Sequence, residues 1–213
     1  FALSFLNIYT LNGGWVYWSL FPRFIASMFI SIAGLSLTLF YNQTKYYKKI
    51  FSRDLKIFGL GILITIATFL TFPESFIVFG ILHLIGISIV LGSLFLKFNK
   101  LNLFLGLLII ALGLYLQNFA FDFPWLLWLG FAPNNFYTFD YFPILPWFGF
   151  FLLGMYFGNS LYEKGKRKFK IKDLSNSPFT RLFSFLGRNS LKIYLLHQPL
   201  LILILLTLGF KIF

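Results

Sequence analysis

The chain of 213 residues is 59% hydrophobic and 23% aromatic, with 11% charged residues and a formal net charge of +12. This balance excludes an ordinary soluble domain and is typical of proteins that cross a membrane several times. The chain has no cysteine and two histidines, so disulfides and thiolate chemistry are excluded and no metal site is predicted.

Six apolar runs follow one another along the chain, each close to the roughly 20 residues that a helix needs to cross hydrocarbon. The predicted membrane helices cover residues 21–41, 57–72, 76–96, 101–117, 143–162 and 189–210. The sequence contains no internal repeat, and no linker divides it into two domains. The sequence therefore predicts an all-α, polytopic membrane helix bundle that forms one domain over residues 1–213. The start at Phe1, without a methionine, is consistent with a further helix upstream.

The connections between the runs differ in charge. Residues 42–56, 97–100 and 163–188 together hold fifteen of the 18 Lys and Arg residues. Cytoplasmic loops collect such residues, so these connections are predicted to be cytoplasmic in a multi-pass protein of the cell membrane, with Phe1 and Phe213 outside. The basic segment before the last run could bind the phosphates of a nucleotide cofactor, but orientation alone explains its charge. For the same reason no nucleic-acid partner is predicted.

Two features mark the second half of the chain. Residues 118–142 form a long connection, and a loop of this length in a compact domain is usually functional. It carries Asp140, which could orient a histidine or bind an acceptor's hydroxyl groups, or could simply be solvated. Gly154 and Gly158 in the fifth run have the GxxxG spacing that lets two helices approach closely.

The last run places a histidine where a bilayer has no water. Ser190, Tyr194 and His197 have the spacing of one helix face, and we expect this polar stripe to face protein rather than lipid. An ionisable group inside a membrane is by default a functional-site hypothesis, and histidine can take and give a proton near neutral pH. The alternative is a neutral histidine hydrogen-bonded to a neighbouring helix. The same two interpretations apply to His83 in the third run, and both histidines are expected to border one buried cavity.

Four blocks of sequence, taken in order, resemble the prokaryotic relatives of heparan-alpha-glucosaminide N-acetyltransferase, within the wider transmembrane acyltransferase superfamily. They are FIASMFISIAGLS (24–36), FGILHLIG (79–86), DYFPILPWFG (140–149) and LGRNSLKIYLLHQP (186–199). The resemblance implies a membrane-bound acyltransferase that moves an acyl group such as acetyl from cytoplasmic acyl-CoA to a glycan or lipid-linked sugar on the outer side. In that family a histidine near the outer end of the first membrane helix is tied to catalysis, and this sequence has no counterpart of it.

Five of the candidate site residues match the family by position, namely His83, Asp140, Asn189, Ser190 and His197, and Arg188 and Tyr194 are added as their neighbours on the last run. His197, His83 and Asp140 are assigned as catalytic, with a histidine as general base, and the polar residues around the start of the last run are assigned to acyl-CoA. The latter are Arg188, Asn189, Ser190 and Tyr194.

A second function stays open, a non-enzymatic, proton-coupled carrier or flippase for a small or lipid-linked solute, with the same histidines as proton relays. In both cases membrane lipids surround the protein, and a homodimer is left open.

Overall fold

The computed structural model describes residues 15–44, 47–121, 123–133, 136–163, 166–170 and 177–208. These residues divide into two compact units. The larger unit is Ser19–Phe169, and the described residues on either side of it form the smaller unit. Each unit is treated by itself below, and the prediction of a single domain stays a prediction.

Seven α-helices lie in the described part of the chain. They are α1 (Trp15–Thr44), α2 (Tyr47–Thr71), α3 (Ile81–Leu94), α4 (Asn99–Leu116), α5 (Ile144–Leu161), α6 (Pro178–Arg188) and α7 (Ser190–Thr207). A short antiparallel hairpin of β1 (Tyr162–Glu163) and β2 (Lys166–Arg167) follows α5, with Tyr162 opposite Arg167. Four segments are long and apolar enough to cross a membrane, namely Leu20–Thr44, Asp54–Thr71, Asn99–Leu116 and Ile144–Leu161. The predicted all-α membrane architecture is confirmed.

The third predicted span is shorter than the sequence suggested. α3 has 14 residues, a length of about 21 Å at the usual rise per residue. The segment before it is extended rather than helical because its backbone bonds to the long connection between α4 and α5. Thr138 donates to the Phe76 carbonyl (2.6 Å), and the Phe142 N–H donates to the Phe79 carbonyl (2.9 Å). The predicted helix start at residue 76 was therefore wrong.

The two longer basic connections contain helix that the sequence analysis treated as loop. α2 begins at Tyr47, so most of residues 42–56 continues the membrane helix. Lys and Arg are good helix formers, and a helix need not end where the hydrocarbon does. In residues 163–188 the structure contains the hairpin and α6.

Small residues bring α5 against α1. A Cβ atom at Gly154 would overlap the Ser31 carbonyl, and one at Gly158 would overlap the Thr38 hydroxyl. The Ser31 hydroxyl donates to the Phe150 carbonyl across this contact (3.1 Å). The close approach predicted from the GxxxG spacing is confirmed.

The core of the larger unit lies between α1, α3 and α5. Its fully buried apolar side chains are Ile30, Leu84, Phe151, Leu152 and Met155. By contrast, α2 and α4 carry many exposed apolar side chains, among them Leu63, Leu70 and Phe104. Such a surface is stable only in an apolar solvent, so these faces fit a lipid environment.

Candidate functional site

The first turn of α3 collects two side-chain acceptors. The Gly80 N–H donates to His83 Nδ1 (3.3 Å), and the Ile81 N–H donates to Asp140 Oδ2 (3.0 Å). The first N–H groups of a helix have no partner within the helix, and a carboxylate there also interacts favourably with the helix dipole. The structure thus brings two of the predicted site residues, His83 and Asp140, to the same helix end.

Asp140 reaches this helix end because the long connection is itself well anchored. Phe79 and Tyr141 form a parallel β-bridge, and the Tyr141 hydroxyl donates to the Leu127 carbonyl (2.7 Å). Burial raises the pKa of Tyr141 to about 12 because the charged phenolate loses solvation. The hydroxyl therefore remains a donor at neutral pH, and the loop carrying Asp140 is held against the start of α3.

The hydrogen bonds of His83 define its tautomer. An acceptor role for Nδ1 requires a lone pair there, which places the proton of the neutral ring on Nε2. Nε2 lies 3.4 Å from the Thr65 hydroxyl, whose own proton is donated to the Ile77 carbonyl (2.7 Å). The ring is only 6% exposed and lies between Phe58 and Phe79, with centroid distances of 5.5 and 5.6 Å. In this state His83 is a hydrogen-bond donor at Nε2 and has no free lone pair for a general base.

His197 has the opposite arrangement. Its Nδ1 lies 2.6 Å from the Tyr194 carbonyl oxygen, which can only accept, so Nδ1 carries the proton. In the neutral ring Nε2 therefore keeps its lone pair. The rings of Tyr194 and His197 are neighbours, with centroids 5.6 Å apart. His197 is exposed and Tyr194 is half-buried, so the packing of this stripe against protein stays a prediction.

The residues assigned to acyl-CoA surround the junction of α6 and α7. Arg188 Nε donates to the Ser184 carbonyl (3.3 Å), and Asn189 Nδ2 donates to the Phe185 carbonyl (2.9 Å). These bonds satisfy carbonyls at the end of α6. Ser190 is exposed at the first position of α7. The assignment of Arg188, Asn189, Ser190 and Tyr194 to acyl-CoA stays a prediction.

His197 belongs to the smaller unit, whereas His83 and Asp140 belong to the larger one. The predicted common cavity of the two histidines therefore stays a prediction. Within the described residues, no group of three or more His, Cys, Asp or Glu side chains could hold a metal ion.

Sequence reasoning missed a buried carboxyl group in α2. Asp54 is 5% exposed, and its Oδ1 has no hydrogen-bond partner among the residues that the structure describes. It lines a cavity of about 280 Å³ together with apolar neighbours that include Phe58 and Gly86. The sequence does contain a signal for it. Asp54, Phe58 and Thr65 have the spacing of one helix face, and that face packs on α3.

The chain matches the model of a known protein family. The family model described as heparan-alpha-glucosaminide N-acetyltransferase, catalytic, matches residues 1–199. No curated protein and no solved structure matches the chain.

Proposed function

Because the chain belongs to the heparan-alpha-glucosaminide N-acetyltransferase catalytic family, we propose that it transfers an acetyl group from cytoplasmic acetyl-CoA to a glycan or similar acceptor on the outer side of the membrane. The family and the four membrane-length helices support a membrane acetyltransferase. The donor, the acceptor and the catalytic base are the parts that we propose.

The observation that carries the mechanism is the hydrogen bond from His197 Nδ1 to the Tyr194 carbonyl. It fixes the ring in the tautomer whose Nε2 can accept a proton. In the proposed step the acceptor's amine or hydroxyl attacks the thioester carbonyl while Nε2 takes its proton. The new C–N or C–O bond forms, the C–S bond breaks, and the proton then passes to the CoA thiolate. General-base catalysis of this kind contributes typically 10²–10⁴-fold to a rate.

His83 and Asp140 have different roles in this proposal. Both hold the first turn of α3 in place, and the Nε2–H of His83 is a neutral donor that suits a developing oxyanion rather than a proton acceptor. The sequence assigned both histidines to catalysis without giving each a separate role. The opposite tautomers support His197 as the base and His83 as a donor or positioning residue.

The proposed direction of transfer rests on charge. The connections rich in Lys and Arg include fifteen of the 18 basic residues, and such connections face the cytoplasm, where acyl-CoA is available. The acceptor would then bind on the opposite side, where the loop carrying Asp140 lies in the predicted orientation.

The test is acetyl transfer by the full-length protein in sealed proteoliposomes, with labelled acetyl-CoA on the side of the basic connections and a glucosamine-terminated oligosaccharide on the other. We expect one CoA thiol for each acetylated acceptor. Movement of the oligosaccharide across the bilayer without CoA release would instead support the carrier. Neither product with any amine or hydroxyl acceptor would contradict the proposed reaction.

A further inference from the structure

α6 is an amphipathic helix whose apolar face is bare. Phe179, Leu182, Phe183 and Leu186 are spaced three, four and seven residues from the first, which is the spacing of one helix face. Pro178 at its first turn suits a helix start. None of its residues is buried, and Phe179 and Phe183 are 73% and 69% exposed. An uncovered face of this kind needs a partner in the working protein.

The opposite face and the preceding segment are basic. Arg181 and Arg188 lie on the polar side of α6, together with Thr180 and Ser184. Residues 163–188 contain eight Lys and Arg but only two acidic residues, Glu163 and Asp173. Among the described residues, one ion pair offsets this charge, with Lys168 Nζ 3.9 Å from Glu163. The partner of α6 must therefore satisfy an apolar stripe and a positive charge together.

These two requirements select one partner. An acidic protein or a nucleic acid would match the charge but leave the phenylalanines in water, and an apolar groove would match the phenylalanines but not the arginines. An anionic membrane surface matches both because headgroup phosphates lie directly above acyl chains. α6 is also joined to the apolar helix α7 through a single residue, Asn189, whose N–H donates to the Phe185 carbonyl (3.1 Å).

We propose that α6 lies flat in the headgroup layer of an anionic membrane leaflet. Phe179, Leu182, Phe183 and Leu186 enter the boundary of the acyl chains, and Arg181 and Arg188 contact lipid phosphates. This surface binds lipid whether or not the protein transfers acetyl groups.

The test uses single cysteines, because the chain has none of its own. The full-length protein with Phe183→Cys or Ser184→Cys is labelled with the fluorophore NBD in nanodiscs of phosphatidylcholine and phosphatidylglycerol, and lipids with brominated acyl chains act as quenchers. The two positions are adjacent in sequence but on opposite helix faces. We expect lipid quenching at residue 183 to exceed that at residue 184 by about twofold or more, since only the apolar face reaches the acyl chains. Leu186→Cys provides a second apolar position that avoids loss of an aromatic ring.

Charge is tested separately from burial. Arg181→Gln and Arg188→Gln should each lower the equilibrium constant for docking of α6 on the lipid surface roughly fivefold at low salt, as expected for removal of one cation near an anionic surface. The constant is read from the quenching of the label at residue 183. If quenching is unchanged in pure phosphatidylcholine and in the double Arg→Gln variant, the proposed preference of α6 for anionic lipid is wrong. Absence of lipid quenching at both 183 and 186 would overturn the proposal altogether, whether the labels are in water or covered by protein.

Discussion

At the two histidines, the partner of Nδ1 determines what Nε2 can do. In His83 the ring accepts at Nδ1 from the Gly80 N–H, so Nε2 is a donor, whereas in His197 the ring donates from Nδ1 to the Tyr194 carbonyl, so Nε2 is an acceptor. The hydrogen bond made by one ring nitrogen commonly determines which tautomer a functional histidine adopts. A sequence shows that two histidines exist but not which nitrogen each one offers.

Replacing each histidine by asparagine separates these roles. In His197→Asn the amide can still donate to the Tyr194 carbonyl but cannot act as a base. We expect the turnover of labelled acetyl-CoA to fall about 10²–10⁴-fold, with the melting temperature close to that of the wild type. His83→Asn is the comparison for stability, because its amide oxygen can accept from the Gly80 N–H while the packed ring is lost. It should lower the free energy of unfolding by about 1–3 kcal/mol. A His197→Asn protein with wild-type turnover would rule out His197 as the base.

Tyr141 gives a prediction for high pH. Burial raises its pKa from 10.0 to about 12, so the folded protein favours the protonated phenol more strongly than the unfolded chain does. The contribution of Tyr141 to stability is therefore complete below pH 10 and is lost as the pH rises towards 12. Absorbance at the tyrosinate band, with Tyr141→Phe as the reference, should show one tyrosine that ionises about two pH units late. If the difference spectrum instead titrates near the ordinary pKa, the loop around Tyr141 is open to water.

At the scale of elements, the contact between α5 and α1 depends on missing side chains. Gly154→Ala would place a methyl group on the Ser31 carbonyl. The nearest atoms are all backbone atoms of Ser31, so no flexible side chain can move aside to make room. We expect the helices to separate and the protein to lose several kcal/mol of stability, near the upper end for overpacking.

Gly59→Ala is the control for that substitution. Gly59 lies in α2, and a Cβ atom there would have nothing within 4 Å. Alanine favours a helix by about 1 kcal/mol over glycine, so this variant should be as stable as the wild type or slightly more so. Thermal melts of both variants in detergent provide the measurement. Equal melting temperatures would show that the GxxxG contact does not hold α1 and α5 together.

The sequence predicted the four membrane-length helices because membrane spans leave a long, local signal. It placed the start of α3 at residue 76 because hydropathy does not register the bonds from Thr138 and Phe142 that hold residues 76–80 extended. It also treated α6 as part of a basic loop, although the spacing of Phe179, Leu182 and Phe183 contains the helical period. There the density of charge concealed the pattern. Asp140 was singled out in the loop, but its bond to the Ile81 N–H joins residues 59 positions apart and cannot be read from local spacing.

At the scale of the whole molecule, α5 is long and apolar enough to cross the membrane. A helix that crosses the membrane has its two ends in different compartments. The loop containing Tyr137 precedes α5. The basic hairpin follows α5, and Lys168 comes directly after the hairpin. The side chains of Tyr137 and Lys168 are both exposed. The excess of Lys and Arg after α5 predicts that the hairpin faces the cytoplasm and the loop faces outward. The proposed transfer requires this arrangement, because the donor is a cytoplasmic thioester and the acceptor is outside.

Single cysteines at these two positions test the orientation in intact cells. With a membrane-impermeant maleimide, Tyr137→Cys should be labelled from outside, and Lys168→Cys should be labelled only after the membrane is permeabilised. The cysteine-free wild type gives the background. Labelling of both positions from the same side would mean that α5 does not cross the bilayer. The reverse pattern would place the basic connections outside, where acyl-CoA is absent, and would rule out the direction of transfer while leaving the fold unaffected.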